Sequence, residues 1–151
     1  MEVNRVEEAI SKINLKRVLI AGIIAGIVNT IYSILVCSGI IMPYLEEITG
    51  SDFWVENTVS HIAIMTAFSF SICILWAFGY ALLYKGIPGV RLNKGVSYGF
   101  LLWILGILPQ TVALHLHTNI WPEFNWIFLS LNSLIRWLIV GAVYAGIYKI
   151  E

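Results

Sequence analysis

The sequence predicts an all-α integral membrane protein: four transmembrane helices arranged as two helical hairpins, with the N- and C-termini cytoplasmic. Three observations predict this. Of 151 residues, 59% are hydrophobic and only 12% charged, whereas soluble domains run at about 45–50% apolar and about 25% charged. The apolar residues collect into four continuous runs, about 18–40, 58–84, 95–116 and 126–148, each long enough for the roughly 20-residue bilayer crossing. Finally, eight of the nine basic residues fall on one side of that topology. Continuous runs fit helices; a lipid-spanning strand alternates over about ten residues.

The elements follow in chain order as one membrane domain, 1–151. Residues 1–15 carry Val3, Val6, Ile10 and Ile13 as a helical stripe, with Arg5, Glu8 and Lys12 largely off it. That pattern predicts a short amphipathic interfacial helix, the other reading being a frayed tail. The same stretch lacks the apolar centre of a signal peptide. Arg5, Lys12, Lys16 and Arg17 precede the first span, Lys85, Arg91 and Lys94 join the second to the third, and Lys149 ends the chain. The two remaining loops hold Glu46, Glu47, Asp52, Glu56 and Glu123 and no lysine or arginine. Basic residues stay on the cytoplasmic side, so a multi-pass protein of the plasma (inner) membrane is expected.

"KGIPGVRLNKG" reads as a tight inner turn with Pro88 and Gly89 as breakers. "MPYLEEITGSDFW" and "HTNIWPEFNW" read as outer loops, the first offering Leu45 and Ile48 for a short surface helix. Trp54, Trp121 and Trp126 fit an interfacial aromatic belt.

The two halves resemble each other. "GIIAG" at 22–26 and "GVSYG" at 95–99 open the odd spans, and "YALLYK" at 80–85 and "YAGIYK" at 144–149 close the even ones. Gly22 to Tyr80 is 58 residues and Gly95 to Tyr144 is 49, a difference that the longer first outer loop can absorb. The match predicts a parallel internal repeat about an axis normal to the membrane; chance similarity at helix ends is the alternative.

Two faces combine small and polar residues. Gly22, Gly26, Asn29, Ser33 and Cys37 share one side of the first helix, beginning with GxxxG. Gly95, Gly99, Gly106, Gln110, Ala113 and His117 do so in the third. In the fourth, Gly141 pairs with Ala145 and Ala142 with Gly146. Close packing, within the bundle or between protomers, explains the glycines: Gly22, Gly26, Gly95, Gly99 and Gly141 with Ala145. Asn29 and Gln110 go beyond packing and suggest a polar-lined cavity.

Arg136 is the ninth basic residue. It stands ten residues from Trp126 and twelve from Tyr148, roughly 15–18 Å from either end at 1.5 Å per residue. Asn29, Ser69 and Ser71 lie near this level, Gln110 slightly outward, and Asn125 and Asn132 share a face with Arg136. A charge at this depth costs about 2.5–3.5 kcal/mol on insertion scales, yet no acid lies at that level. Three fates are open: snorkelling toward Glu123, Glu56 or outer water past Asn132; an acid on another subunit; or an anionic ligand, lipid headgroup or quinone carbonyl.

His61, His115 and His117 all belong to the outer half. Interfacial histidines bonded to water and lipid are the plain reading. A haem, copper or zinc ion is the alternative, against which HxH on a helix splays its side chains by about 200°. Pro109 should kink the third helix or free a carbonyl there. Cys37 and Cys73 read as small hydrophobes. No nucleophile–base pair, HExxH, phosphate loop or intramembrane carboxylate pair supports an enzyme, and zero net charge argues against nucleic acid. No cofactor is expected.

Through "KRVLIAGIIAGIVNTIY" and "YALLYKGIPGVRLNKGVSYGFLLWILGILP", the chain resembles small four-helix inner-membrane proteins of bacteria and archaea. The resemblance implies a Gly-rich first helix and a "G…G..W" third helix, and no catalytic residue. The four-helix glutathione and eicosanoid enzymes carry a polar motif on the second helix that has no match here, and cytochrome b types carry more histidines at two depths. The expected function is association, as a homo-oligomer or an accessory subunit of a larger membrane complex. Alternatives are a transport or binding protein with a midplane site for an anionic or amphiphilic ligand at Asn29, Gln110, Asn132 and Arg136, and a haem or quinone redox subunit.

Overall fold

The computed structural model describes residues 13–49, 58–117 and 123–148. The expectations for residues 1–12, Trp54, Glu56, Trp121 and Lys149 lie outside the described residues, as do those for the side chains of Ile48, His115, Glu123 and Asn125.

Among the described residues every regular element is helical. Four helices are long and apolar enough to cross a membrane: Leu15–Glu47, Val59–Leu83, Leu92–Ala113 and Trp126–Ile147. Asn14 caps the first, its Oδ1 accepting from the Arg17 N–H at 3.1 Å. Thr58 caps the second through the His61 N–H at 3.2 Å. Between the second and third, Gly89 takes the left-handed φ of 99° that its lack of Cβ permits. Ile87 is buried beneath that turn, and Lys94 Nζ donates to the Tyr84 carbonyl at 2.6 Å while lying 4.2 Å from the centre of the Tyr84 ring.

The even helices are regular, 25 residues each, Val59–Leu83 and Glu123–Ile147. The odd ones are not. The first is α-helical over Leu15–Tyr32, π-helical over Ser33–Ile41 and α-helical again over Met42–Thr49. The third is α-helical over Leu92–Leu102, π-helical over Trp103–Ile107 and α-helical over Leu108–His117. Each π segment ends two residues before a proline, Pro43 or Pro109. Proline donates no N–H, and its ring crowds the carbonyl four residues back. The residue before each proline makes the wider bond instead: Met42 N–H to the Cys37 carbonyl, Leu108 N–H to the Trp103 carbonyl.

Residues 42–49 therefore extend the first helix rather than forming a separate surface helix, and Leu45 is buried. Pro43 follows Gly22 by 21 residues and Pro109 follows Gly95 by 14. Seven of the nine extra residues of the first half thus lie inside its first helix, before the proline.

The first helix packs on the second and the third on the fourth, and the first also meets the fourth. The closest approaches are made by glycine. A Cβ on Gly22 would stand 2.7 Å from Ile74 Cα, and one on Gly26 2.7 Å from the Phe70 ring. A Cβ on Gly95 would strike the Gly141 carbonyl and the Ala145 methyl; one on Gly99, the Trp137 carbonyl. The core gathers at one end, where Val18, Ala21, Ala25, Cys73, Ala77, Ala81, Val140 and Ala145 surround Tyr80, Tyr98, Tyr144 and Tyr148. We call this the tyrosine end; it holds the start of the odd helices and the close of the even ones.

Candidate polar site at mid-depth

Helices in lipid gain little from burying apolar surface against each other, so packing and interhelical hydrogen bonds must join them. At the tyrosine end those bonds run from rings to main chain. The Tyr98 hydroxyl donates to the Trp76 carbonyl at 2.9 Å, entering beside Gly79, where a Cβ would stand 2.7 Å from that oxygen. The Tyr144 hydroxyl donates to the Cys73 carbonyl at 2.8 Å. Farther along, Trp103 Nε1–H donates to the Ser130 carbonyl at 2.9 Å.

Midway along the bundle the joining groups change to side chains. Arg136 Nε–H donates to Asn29 Oδ1 at 2.5 Å. Asn29 Nδ2–H donates to Ser69 Oγ at 2.6 Å. The fourth, first and second helices are thereby linked through one amide. Asn29 is 3% exposed, and the cation is its acceptor-side partner. Its amide orientation is fixed at both ends, oxygen to the cation and nitrogen to the serine. One turn farther from the tyrosine end, the Tyr32 hydroxyl donates to Asn132 Oδ1 at 2.6 Å, and Asn132 Nδ2 points to Cys37 Sγ at 3.9 Å. Residues 29 and 136, then 32 and 132, form two successive rungs between antiparallel helices.

Of the expected polar residues, the structure thus brings together Asn29, Asn132 and Arg136. It does not bring Gln110 to them: Gln110 is exposed on the third helix. Ser69 joins, but Ser71 bonds back to its own helix at the Ala67 carbonyl, 2.9 Å away. Tyr32 was missed by sequence reasoning; its spacing of three residues from Asn29, matching the four between Asn132 and Arg136, was the available signal. His61 is half-buried at the start of the second helix and His117 exposed at the close of the third. Among the described residues no three histidine, cysteine or acidic side chains gather in a group fit for a metal ion.

The small residues divide between helix contacts and open faces. Gly22, Gly26, Gly95, Gly99, Gly141 and Ala145 are buried at helix contacts, whereas Gly106, Ala113 and Gly146 are exposed, with nothing within 4 Å of a Cβ on Gly106 or Gly146. The π segment explains the split in the third helix. Each i→i+5 turn holds about one residue more than an α turn and so rotates the following side chains by about 100°. A face that is continuous on an α-helical wheel is broken at Trp103–Ile107.

Comparison of the chain with protein-family models, with curated proteins and with solved structures finds no match.

Proposed function

We propose that this is a multi-pass plasma-membrane protein of two helical hairpins, termini cytoplasmic, that works by association with a second copy of itself. The observation that carries the reading is the face Gly106, Gln110, Ala113 and His117, every member of which is exposed. A primary amide facing acyl chains without a hydrogen-bond partner is unfavourable. Among the described residues Gln110 has no hydrogen-bond partner. A second copy supplies one, because an amide both donates and accepts and can pair with its own counterpart across a two-fold axis. Gly106 allows the two backbones to come close. Gly22, Gly26, Gly95, Gly99 and Gly141 are used in contacts within the chain, so the dimer contact is assigned to the face that pairs an open glycine with Gln110.

The test is the protein mass in detergent, by light scattering corrected for bound detergent. Wild type should run as a dimer, and Gln110→Leu combined with Gly106→Leu as a monomer of unchanged helix content. A wild-type monomer at every concentration, or a dimer that survives the double substitution, contradicts the reading. Co-purification of a different membrane subunit in its place would favour the accessory-subunit alternative.

The eight basic residues that face one side support cytoplasmic termini. Impermeant thiol labelling of a cysteine placed at residue 3 or 90, in cells, checks the side. A second reading, a site for an anionic ligand, is favoured by the state of Arg136.

A further inference from the structure

Arg136 carries five N–H donors on a planar guanidinium, and the structure accounts for one, the Nε–H held by Asn29. Among the described residues no carboxylate pairs with it, and no second acceptor reaches its Nη groups. Nor are those groups sealed away. The buried side-chain polar atoms without a partner among the described residues are the Tyr80 and Ser130 hydroxyls, and Arg136 is half-buried, so its Nη atoms keep some accessible surface.

The geometry narrows what this edge can hold. A guanidinium grips an oxyanion in two bidentate ways, side-on through Nε with one Nη, or end-on through both Nη atoms. Asn29 occupies Nε, which removes the side-on mode. Ser69 holds Asn29 in turn, so the plane of the fork is set by a relay across three helices. A full positive charge at this depth, bonded only to a neutral amide, is electrostatically incomplete. A carboxylate or phosphate has the charge and the paired oxygens to complete it.

We propose that the Nη edge of Arg136 is an end-on binding fork for an oxyanion, a carboxylate or a phosphate. Apolar side chains such as Val59, Ile64, Phe68, Leu105 and Leu116 are exposed along the helices and offer an acyl chain apolar company. This inference is independent of the dimer contact, since Gln110 takes no part in it.

The test uses full-length protein in nanodiscs of zwitterionic phosphatidylcholine. Three probes are compared by thermal unfolding: decanoate, phosphatidylglycerol added to the disc, and inorganic phosphate. The fork predicts that at least one raises the midpoint of wild type, and that Arg136→Gln and Arg136→Lys need at least tenfold more of it. The lysine variant keeps the charge and loses the fork. A response to decanoate or phosphatidylglycerol puts the oxyanion on an amphiphile; a response to phosphate alone puts it on a free solute. Where both variants fail to fold, wild type still answers: saturating probe should slow phenylglyoxal modification of Arg136, read by peptide mass spectrometry, at least tenfold. No response of wild type to any probe overturns the proposal, as do variants that respond like wild type or a modification rate that the probe leaves unchanged. Loss of the dimer in both Arg136 variants, with Gln110→Leu still dimeric, also overturns it, because the charge then answers an acid on the second copy.

Discussion

The two ends of the bundle are built on different principles. At the tyrosine end glycine and alanine bring backbones together, large rings fill the remaining space, and hydroxyls close on main-chain carbonyls of neighbouring helices. At the opposite end both odd helices widen into π turns, few side chains are buried, and Gln110, Pro109 and His117 face outward. The polar rungs from Arg136 to Asn29 and from Tyr32 to Asn132 lie at the border. The lesson is that one half anchors the fold through close packing, and the other half leaves polar and small residues such as Gln110 and Gly106 exposed. The cost of a substitution should therefore depend on which half it falls in.

The largest difference is expected between two glycines of one helix. Gly95→Leu forces side-chain atoms into the Gly141 carbonyl and should cost about 3 kcal/mol or prevent folding. Gly106→Leu meets nothing and should leave the stability of the monomer within about 0.5 kcal/mol, though not its dimerisation. Steric-trapping or denaturant unfolding in detergent compares them directly; equal costs would erase the distinction between the halves.

Next come the tyrosines. Tyr144→Phe removes a buried donor and leaves the Cys73 carbonyl with its helical bond only. A loss of about 0.5–1.5 kcal/mol is expected. Tyr80→Phe deletes a buried hydroxyl that has no partner among the described residues and should be neutral or stabilising. The same unfolding measurement sharpens the comparison within a single ring cluster. Of the hydroxyls that do form a bond, Tyr32→Phe at the border should cost least, about 0.6 kcal/mol. A much larger loss there would move the anchor of the fold into the polar rungs.

Much of this was legible in the chain. Hydropathy marks four spans, and counting 1.5 Å per residue puts Arg136 and Asn29 at one depth, where the structure joins them. Asn132 follows from its four-residue spacing to Arg136. Helix rotation was not legible beyond Leu102, because one π segment turns the face that holds Gln110 away from the face that holds Gly95. Pro109 carried the warning, two residues past the segment, as Pro43 did for the run on to Thr49. A proline in a span announces that a carbonyl must be accommodated, but not how. The difference in length between the two halves also hid from simple counting, since seven of the nine extra residues precede Pro43 inside the first helix.

The most direct measurement is a double-mutant cycle between Arg136 and Asn29, using Arg136→Met, Asn29→Leu and both together, with unfolding free energy as the readout. A cation bonded to a buried amide predicts a coupling of about 1–2 kcal/mol. Additive effects, within about 0.3–0.5 kcal/mol, would mean that the guanidinium is not held there.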